Sequence, residues 1–118
     1  MASGMPVNDI CVTTFNELKL RHAFKWIIFK IDHDEIVVEK KGTSGKEDFS
    51  KELPTSDCRY AVYDEGQRIH FILWSPDCAP VKPRMIYSSS KDALGKKLEG
   101  TMATTLEAHE LGDLSVLN

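Results

Sequence analysis

The sequence predicts an α/β sandwich in which helices cover a mixed β-sheet. Segments with helical and strand-like periodicity alternate along the chain in the order helix, strands, helix, strands, helix. The chain of 118 residues is long enough to bury one core without disulfides or metal. It contains no internal repeat and no low-complexity tract. We therefore assign residues 1–118 to a single domain.

The first half of the chain predicts a helix, a hairpin and a second, short helix. Residues 1–5 are small and uncharged, which is typical of a mobile arm. Asn8 or Asp9 can cap the first helix, whose buried stripe is predicted to contain Ile10, Cys11, Thr14, Phe15 and Leu18. Residues 26–31 and 36–39 predict a hairpin that turns at 33–34. A polar loop over 41–45 leads to a helix over 46–53, which Pro54 ends.

The second half predicts another hairpin and a long helix. Strands over 59–63 and 68–74 enclose a turn over 64–67. Pro80 and Pro83 belong to the first turn of a helix, where a missing N–H costs little. This helix is predicted to reach about Leu98 and to stop near Gly100. Residues 102–105 are predicted as a short edge strand, and residues 106–111 as a weak final helix.

Charge is unevenly distributed along the chain. The whole sequence carries a formal charge of −3, which argues against a nucleic-acid partner. Residues 80–98 contain five cations and one carboxylate, that of Asp92, so the charge of this segment is +4. The remainder of the chain therefore carries a charge of −7 (−3 minus 4). A basic helix on an acidic domain predicts an acidic protein partner or an anionic lipid headgroup.

The N-terminus and the cysteines predict an intracellular, soluble protein. Cys11, Cys58 and Cys78 are widely spaced, and the first residues lack the basic and apolar regions of a secretory signal. We therefore expect reduced thiols in the cytosol. Gly4 is not at position two, so the myristoylation motif is absent. The longest apolar runs, such as residues 26–29, are too short to span a bilayer.

The long helix separates its residues onto two arcs at about 100° per residue. One arc is predominantly apolar and contains Ile86, Tyr87, Ser90, Ala93, Leu94 and Leu98. The opposite arc contains Arg84, Met85, Ser88, Ser89, Lys91, Asp92 and Lys96. A large flexible apolar residue among cations suits docking to an acidic, grooved protein surface. On pattern alone, an ordinary exposed methionine explains the arrangement equally well.

The motifs of common enzymes are missing from the sequence. It has no Gly-rich phosphate loop, no Gly-x-Ser-x-Gly elbow and no His-Glu-x-x-His. The four histidines have no metal-like spacing, so we predict neither metal nor cofactor. Cys58 and His70 lie on adjacent predicted strands, where a thiol–imidazole pair is conceivable, but packing roles are favoured for both. Trp26 and Trp74 are predicted to anchor the core or its edge.

Residues 74–94, WSPDCAPVKPRMIYSSSKDAL, closely resemble a segment of the actin-depolymerising factor/cofilin family. In that family a strand ending in Trp-Ser-Pro-Asp or Trp-Ala-Pro-Glu leads through Ala-Pro into a basic helix with Met-x-Tyr-x-Ser-Ser-Lys-Asp-Ala. The N-terminal MASG and residues 53–63, LPTSDCRYAVY, also resemble family patterns. The resemblance covers nearly the whole chain and weakens after Gly100. It implies an α+β domain with a mixed five-stranded sheet flanked by helices, and an actin-binding protein without an active site.

The resemblance also implies specific site residues. The actin-binding residues would be Ser3, Gly4, Met5, Lys82, Arg84, Met85, Ser89, Lys91 and Asp92. The residues that bind phosphoinositide headgroups would be Lys82, Arg84, Lys91, Lys96 and Lys97. Ser3 corresponds to a serine whose phosphorylation abolishes actin binding in the family, because a phosphate adds nearly two negative charges beside an acidic surface.

Two residues of the long helix depart from the family pattern. Gly95 replaces a residue that is usually basic in the family, and Ser88 replaces a usual alanine. Gly95 costs about 1 kcal/mol of helix stability relative to alanine and removes a cation, so we expect lipid binding that is weaker than is typical of the family.

Two short segments of the chain resemble those of the short apicomplexan-parasite members of the family. Its hairpin between Tyr63 and Ile69 is tight, and no Lys or Arg follows Lys97; a longer loop and a basic final helix make the filament-specific contact in other members. We therefore expect a monomeric cytoplasmic protein of the actin cytoskeleton. It would bind monomeric, preferentially ADP-bound, actin and promote filament depolymerisation and turnover, with weak filament decoration and severing. The alternatives are a phosphoinositide-regulated membrane-surface adaptor that uses the same helix, and a small enzyme that uses Cys58.

Overall fold

The computed structural model describes residues 5–66, 68–98 and 102–116. The helices and strands follow the order α1 (Asp9–Arg21), β1 (Trp26–Asp32), β2 (Glu35–Gly42), α2 (Lys46–Lys51), β3 (Arg59–Asp64), β4 (Ile69–Trp74), α3 (Val81–Lys97), β5 (Met102–Ala108) and a 3-10 helix (Leu111–Val116). The strands form one sheet in the order β2-β1-β3-β4-β5. β5 lies parallel to β4, and the other neighbours are antiparallel. The prediction of a mixed five-stranded sheet flanked by helices is confirmed.

Helices cover both faces of this sheet. Successive side chains of a strand point to opposite faces, so apolar strands supply a hydrophobic cluster on each face. On one face, α1 and α3 pack against a first cluster that includes Phe15, Leu18, Phe29, Tyr60, Phe71 and Leu94. On the other face, α2 and the 3-10 helix contribute to a second cluster that includes Trp26, Ile28, Phe49, Tyr63, Trp74 and Leu114. Trp26 is 4% exposed and Trp74 is 3% exposed, which confirms both as core anchors.

α1 begins where the sequence predicts it. The side-chain oxygen of Asn8 accepts a hydrogen bond from the Ile10 N–H at 2.9 Å, so Asn8 is the N-cap. Four members of the predicted stripe are buried, but the placement of Ile10 in it is wrong, because its side chain is 58% exposed. Ile10 lies about 100° around the helix from Cys11 and therefore falls outside the buried arc.

The end of the chain differs from the prediction. β5 extends to Ala108, and the following helix is a 3-10 helix that begins at Leu111, so the helix predicted over 106–111 is wrong. Residues 106–108 pair with β4 from Ile72 to Trp74. Ala108 is buried in the second cluster and Leu106 packs against it, whereas Glu107 between them is exposed. This alternation is that of a strand, and pairing with β4 decides between strand and helix.

Smaller differences concern element ends. β2 extends beyond the predicted 36–39 to Gly42, and α2 stops at Lys51 rather than at residue 53. Residues 1–4, Gln67 and Gly100 lie outside the described residues. The predictions for the N-terminal arm, the second hairpin turn and the stop of the long helix are untested at those positions.

Candidate functional site

α3 presents one buried face and one exposed face, as predicted. The side chains that face the first cluster are Tyr87, Ser90 and Leu94, and all three are at most 5% exposed. On the opposite face Met85 is 65% exposed. Ser88, Ser89, Asp92 and Lys96 are exposed beside it, and Lys91 is half-buried. The prediction that Met85 lies on the solvent side is confirmed, whereas the exposed residues beside it are mostly polar and do not form a ring of cations.

The start of α3 is fixed by the proline-rich corner that follows β4. Pro80 is the N-cap with an extended backbone, φ −59° and ψ 152°. Pro83 occupies the first turn, where its missing N–H breaks no helical hydrogen bond. Arg84 donates from Nη1 to the carbonyl of Asp77 at 3.3 Å. Val81 follows the corner directly and is 65% exposed, so the helix presents a second apolar side chain near Met85.

Two tyrosines tie the buried face of α3 to the sheet. The Tyr60 hydroxyl donates to the carbonyl of Tyr87, and the backbone N–H of Ile31 donates to the Tyr87 hydroxyl at 2.8 Å. The two rings lie 5.0 Å apart. Burial raises the pKa of both phenols, so both remain protonated. These bonds link α3 to β1 and β3 within one turn of Met85.

Two concave surfaces flank the N-terminal half of α3. The first, which we call the β1-side cleft, has a volume of about 420 Å³ and is lined by Lys30, Ile31, Asp57, Arg59, Lys82, Pro83, Ile86 and Tyr87. The second, the β5-side groove, has a volume of about 390 Å³ and is lined by Ser75, Val81, Arg84, Met85, Ser88, Ser89, Glu107 and His109. Lys82 and Arg84 are adjacent in the predicted site, yet they line opposite flanks, because two residues along a helix are about 200° apart.

The β1-side cleft carries uncompensated positive charge. Arg59 is neutralised, since its Nε lies 2.8 Å from Glu39 and its Nη1 lies 2.8 Å from Asp57. Burial opposes the charge of Arg59, but the hydrogen bonds to both carboxylates outweigh burial and raise its pKa. Lys30 and Lys82 make no ion pair within the ranges that the structure describes. Their charges therefore face the cleft without a carboxylate partner from this part of the chain.

The β5-side groove carries fewer charged side chains than the β1-side cleft, although most of its lining residues are polar. Glu107 lies 3.4 Å from the Nε2 of His109, and the Nδ1 of His109 lies 2.8 Å from the carbonyl of Ser75. Glu107 offsets the charge of Arg84 in this lining. The exposed side chains of Val81 and Met85 form its apolar part.

The remaining predicted site residues are not all brought together. Ser3 and Gly4 lie outside the described residues. Met5 is half-buried against the first cluster, so it also has a packing role. Lys96 and Lys97 are exposed in the last turn of α3. They lie about 21 Å along the helix from its first turn, at about 1.5 Å per residue, so the five predicted lipid-binding cations do not converge on one pocket.

The thiol–imidazole pair considered for Cys58 and His70 is wrong. Because β3 and β4 are antiparallel, Cys58 lies just before the Arg59–Trp74 end of the ladder, and its Sγ is 3.8 Å from the Ser75 hydroxyl. His70 pairs with Tyr63 near the other end. Burial raises the pKa of the Cys58 thiol, which makes it a poor nucleophile. The described residues also hold no group of three or more His, Cys, Asp or Glu side chains arranged for a metal ion.

The sequence reasoning missed three residues of the β1-side cleft, namely Lys30, Asp57 and Arg59. They are brought to Lys82 by the antiparallel pairing of β1 with β3 and by the packing of α3 on the sheet. The available signal was weak: Lys30 interrupts an apolar run in β1, and Arg59 follows a buried cysteine.

In the part of the chain that the structure covers, no helix has the length and apolar character needed to cross a membrane.

Comparisons with known proteins agree with this geometry. The profile of the family described as cofilin/tropomyosin-type actin-binding protein matches residues 4–116. The chain is 60% identical over 117 residues to a Toxoplasma gondii protein named actin depolymerizing factor ADF, covering 99% of each. It is 44% identical over 125 residues to actophorin of Acanthamoeba castellanii, covering 96% of this chain and 90% of that protein.

Solved structures give the same result. The crystal structure of Streptomyces griseoflavus cofilin matches with a TM-score of 0.88 at 39% identity, covering 94% of this chain and 92% of that chain. The solution structure of ADF from Toxoplasma gondii matches with a TM-score of 0.78 at 60% identity, covering 97% of each. The resemblance predicted from residues 74–94 is thereby confirmed. The chain belongs to the family of cofilin/tropomyosin-type actin-binding proteins.

Proposed function

We propose that this chain binds monomeric actin through α3 and promotes the disassembly of actin filaments. The observation that carries the proposal is Met85, which is 65% exposed on a helix whose other face is fixed in the core. Lys82 and Arg84 flank it on two sides. Membership in a family of actin-binding proteins supports actin as the partner of this surface.

The charge distribution suits an acidic partner. The segment around α3 is positive on a chain of net charge −3. Such a dipolar molecule is steered with its positive side toward an acidic surface, which accelerates productive encounters. Met85 and Val81 then bury apolar area, while cations on both flanks pair with carboxylates. The proposal assigns no catalytic step to the chain, because a protein that binds monomer shifts polymer toward monomer by mass action.

The second hairpin supports a preference for monomer over filament. Asp64, at its start, accepts a hydrogen bond from the Gly66 N–H at 2.8 Å and lies 3.0 Å from the Nδ1 of His22. The β3–β4 ladder closes at Asp64 and Ile69, so the connection is short and tied to the end of α1. A short connection offers little surface for a second actin subunit. We therefore infer weak filament decoration and weak severing. We retain ADP-actin as the preferred monomer on the strength of the family resemblance alone.

Binding of fluorescently labelled actin monomer tests the proposal. We expect Lys82→Ala and Arg84→Ala each to weaken binding about tenfold, because a charge-assisted contact contributes about 1.5–3 kcal/mol. Lys51→Ala is the matched control, since Lys51 lies in α2 on the other face of the sheet. Filament pelleting with increasing protein should enlarge the supernatant fraction with little co-pelleting. A folded Lys82→Ala/Arg84→Ala protein that binds monomer normally would overturn the proposal.

We retain Ser3 as the proposed regulatory position. A negative charge there would repel an acidic actin surface, so Ser3→Glu should lose monomer binding with an unchanged melting temperature. Ser3→Gln provides a control of the same size without charge. Equal binding by the Glu and Gln variants would show that charge at this position does not regulate the contact.

The adaptor hypothesis places the same cations on a membrane. Lys82 and Arg84 line opposite flanks of α3, and Lys96 and Lys97 lie at its far end, which favours a diffuse contact with lipid over a headgroup pocket. Sedimentation with phosphoinositide-containing liposomes in parallel with actin separates the two readings. We propose the cytoplasmic actin cytoskeleton as the place of action, consistent with actin as the primary partner.

A further inference from the structure

We propose that the β1-side cleft receives an acidic segment of actin, in which a carboxylate side chain stands next to an apolar one. This inference rests on the proposed function and adds a partner chemistry to a surface that the sequence left unassigned. It makes Lys30, on β1, part of the interface, although Lys30 and Lys82 are 52 positions apart in the sequence (82 minus 30).

The lining of the cleft has the charge that such a segment requires. It contains three cations, Lys30, Arg59 and Lys82, against the single carboxylate of Asp57. Arg59 already pairs with Asp57 and with Glu39, so with Glu39 included the group carries a net charge of +1 (three cations minus two carboxylates), and the two lysines are its cations without a carboxylate partner among the described residues. Lysine is a flexible point charge, and the two lysines that line the cleft supply the positive charge with which a carboxylate of the segment would pair.

The floor of the cleft accounts for the apolar part of the segment. Ile31, Pro83, Ile86 and Tyr87 line it, and the Tyr87 hydroxyl is already occupied by the Ile31 N–H at 2.8 Å. The floor therefore contributes mainly apolar surface. A volume of about 420 Å³ lies at the lower end of the range for small-molecule pockets. It has room for a few side chains of an extended segment.

The opposite flank of α3 does not suit the same segment. In the β5-side groove a carboxylate would meet Glu107, and the Nη1 of Arg84 is directed to the carbonyl of Asp77. Val81 and Met85 instead offer that groove an apolar contact. The two flanks thus give the interface a direction: the acidic segment lies on the β1 side of α3, whereas on the β5 side Val81 and Met85 bury apolar area and Arg84 is the one lining cation that pairs with a carboxylate of actin.

Charge reversal at Lys30 tests the inference. We expect Lys30→Glu to weaken actin-monomer binding at least about tenfold, and the binding of the variant to depend less steeply on salt. Lys51→Glu is the matched control and should bind as the wild type does. Because Lys30 is half-buried in a strand, Lys30→Gln serves as a second variant that removes the charge with less risk to folding. Melting curves establish that each protein is folded.

Zero-length cross-linking gives an independent readout on the unmodified chain. A carbodiimide joins a lysine amine to a carboxylate only when the two are in contact, so the wild-type complex with actin should yield a link from Lys30 to an Asp or Glu of actin. A complex that links through Lys82 but never through Lys30, together with normal binding by Lys30→Gln, would overturn the inference alone. Failure of the wild-type chain to bind actin would overturn the proposed function, and this inference with it.

Discussion

Replacing Gly42 with alanine should destabilise the fold by about 2–6 kcal/mol. A Cβ at this position would lie 2.3 Å from Cζ2 of Trp26 and 2.7 Å from Cε2, whereas carbon atoms pack at about 3.5–4.0 Å. The indole must therefore move by more than about one ångström. It is 4% exposed, donates its N–H to the carbonyl of Ser44 at 3.1 Å and packs against Phe49 at 5.8 Å between ring centroids.

The magnitude follows from these contacts. Overpacking costs about 1–3 kcal/mol, and loss of the indole hydrogen bond adds about 1–3 kcal/mol if the ring leaves its place. Urea unfolding followed by tryptophan fluorescence measures the free energy of unfolding. Gly45→Ala is the control, because no atom lies within 4 Å of its added Cβ, and we expect a change below about 1 kcal/mol there. A Gly42→Ala protein within about 0.5 kcal/mol of the wild type would refute the argument.

Three further outcomes are expected. At pH 8 iodoacetamide should label Cys78 alone in the native protein, since Cys78 is exposed whereas Cys11 and Cys58 are buried with raised pKa values; native labelling of a second thiol would contradict this. Burial raises the pKa of Cys11 from 9.0 to about 11, so the native state keeps a proton that the unfolded state loses. The free energy of unfolding should therefore fall by about 1.4 kcal/mol per pH unit between these values, and Cys11→Ala should reduce that slope; equal slopes would exclude Cys11 as the cause. Tyr87→Phe leaves the partly buried Ile31 N–H without its acceptor and should cost about 1–3 kcal/mol in urea unfolding; an unchanged value would mean that water replaces the hydroxyl.

The helices were predictable because their signals are local. Asn8 precedes the first helical turn and caps it, as the sequence indicates. Along α3 the 3.6-residue period separates Met85 from Tyr87 correctly, because both lie on one regular element whose start is fixed by Pro80 and Pro83. The buried tryptophans followed from their size and their position at the ends of strands.

The β1-side cleft and the end of the chain were not predictable in the same way. Lys30 and Arg59 share the cleft only because β1 pairs with β3, and no local pattern specifies that partner. The sequence also left open whether Cys58 and His70 approach each other, since strand adjacency does not give the register that places them near opposite ends of the ladder. At Leu106, pairing with β4 outweighed a weak helical pattern.

The face of the sheet that carries the second cluster should affect stability alone, whereas the face covered by α3 should also affect actin binding. Variants on the two faces can be compared in unfolding and binding experiments. The second cluster, with Trp26 and Phe49, has no member on either flank of α3, so a variant such as Gly42→Ala should reduce actin binding only in proportion to the unfolded fraction. A variant at Lys30 should instead change affinity at a constant folded fraction. Tyr87 belongs to both categories, because it is buried in the first cluster and also lines the β1-side cleft. Tyr87→Phe removes the hydrogen bond that holds α3 against β1. The variant should therefore have a lower free energy of unfolding, and its folded molecules should also bind actin monomer more weakly.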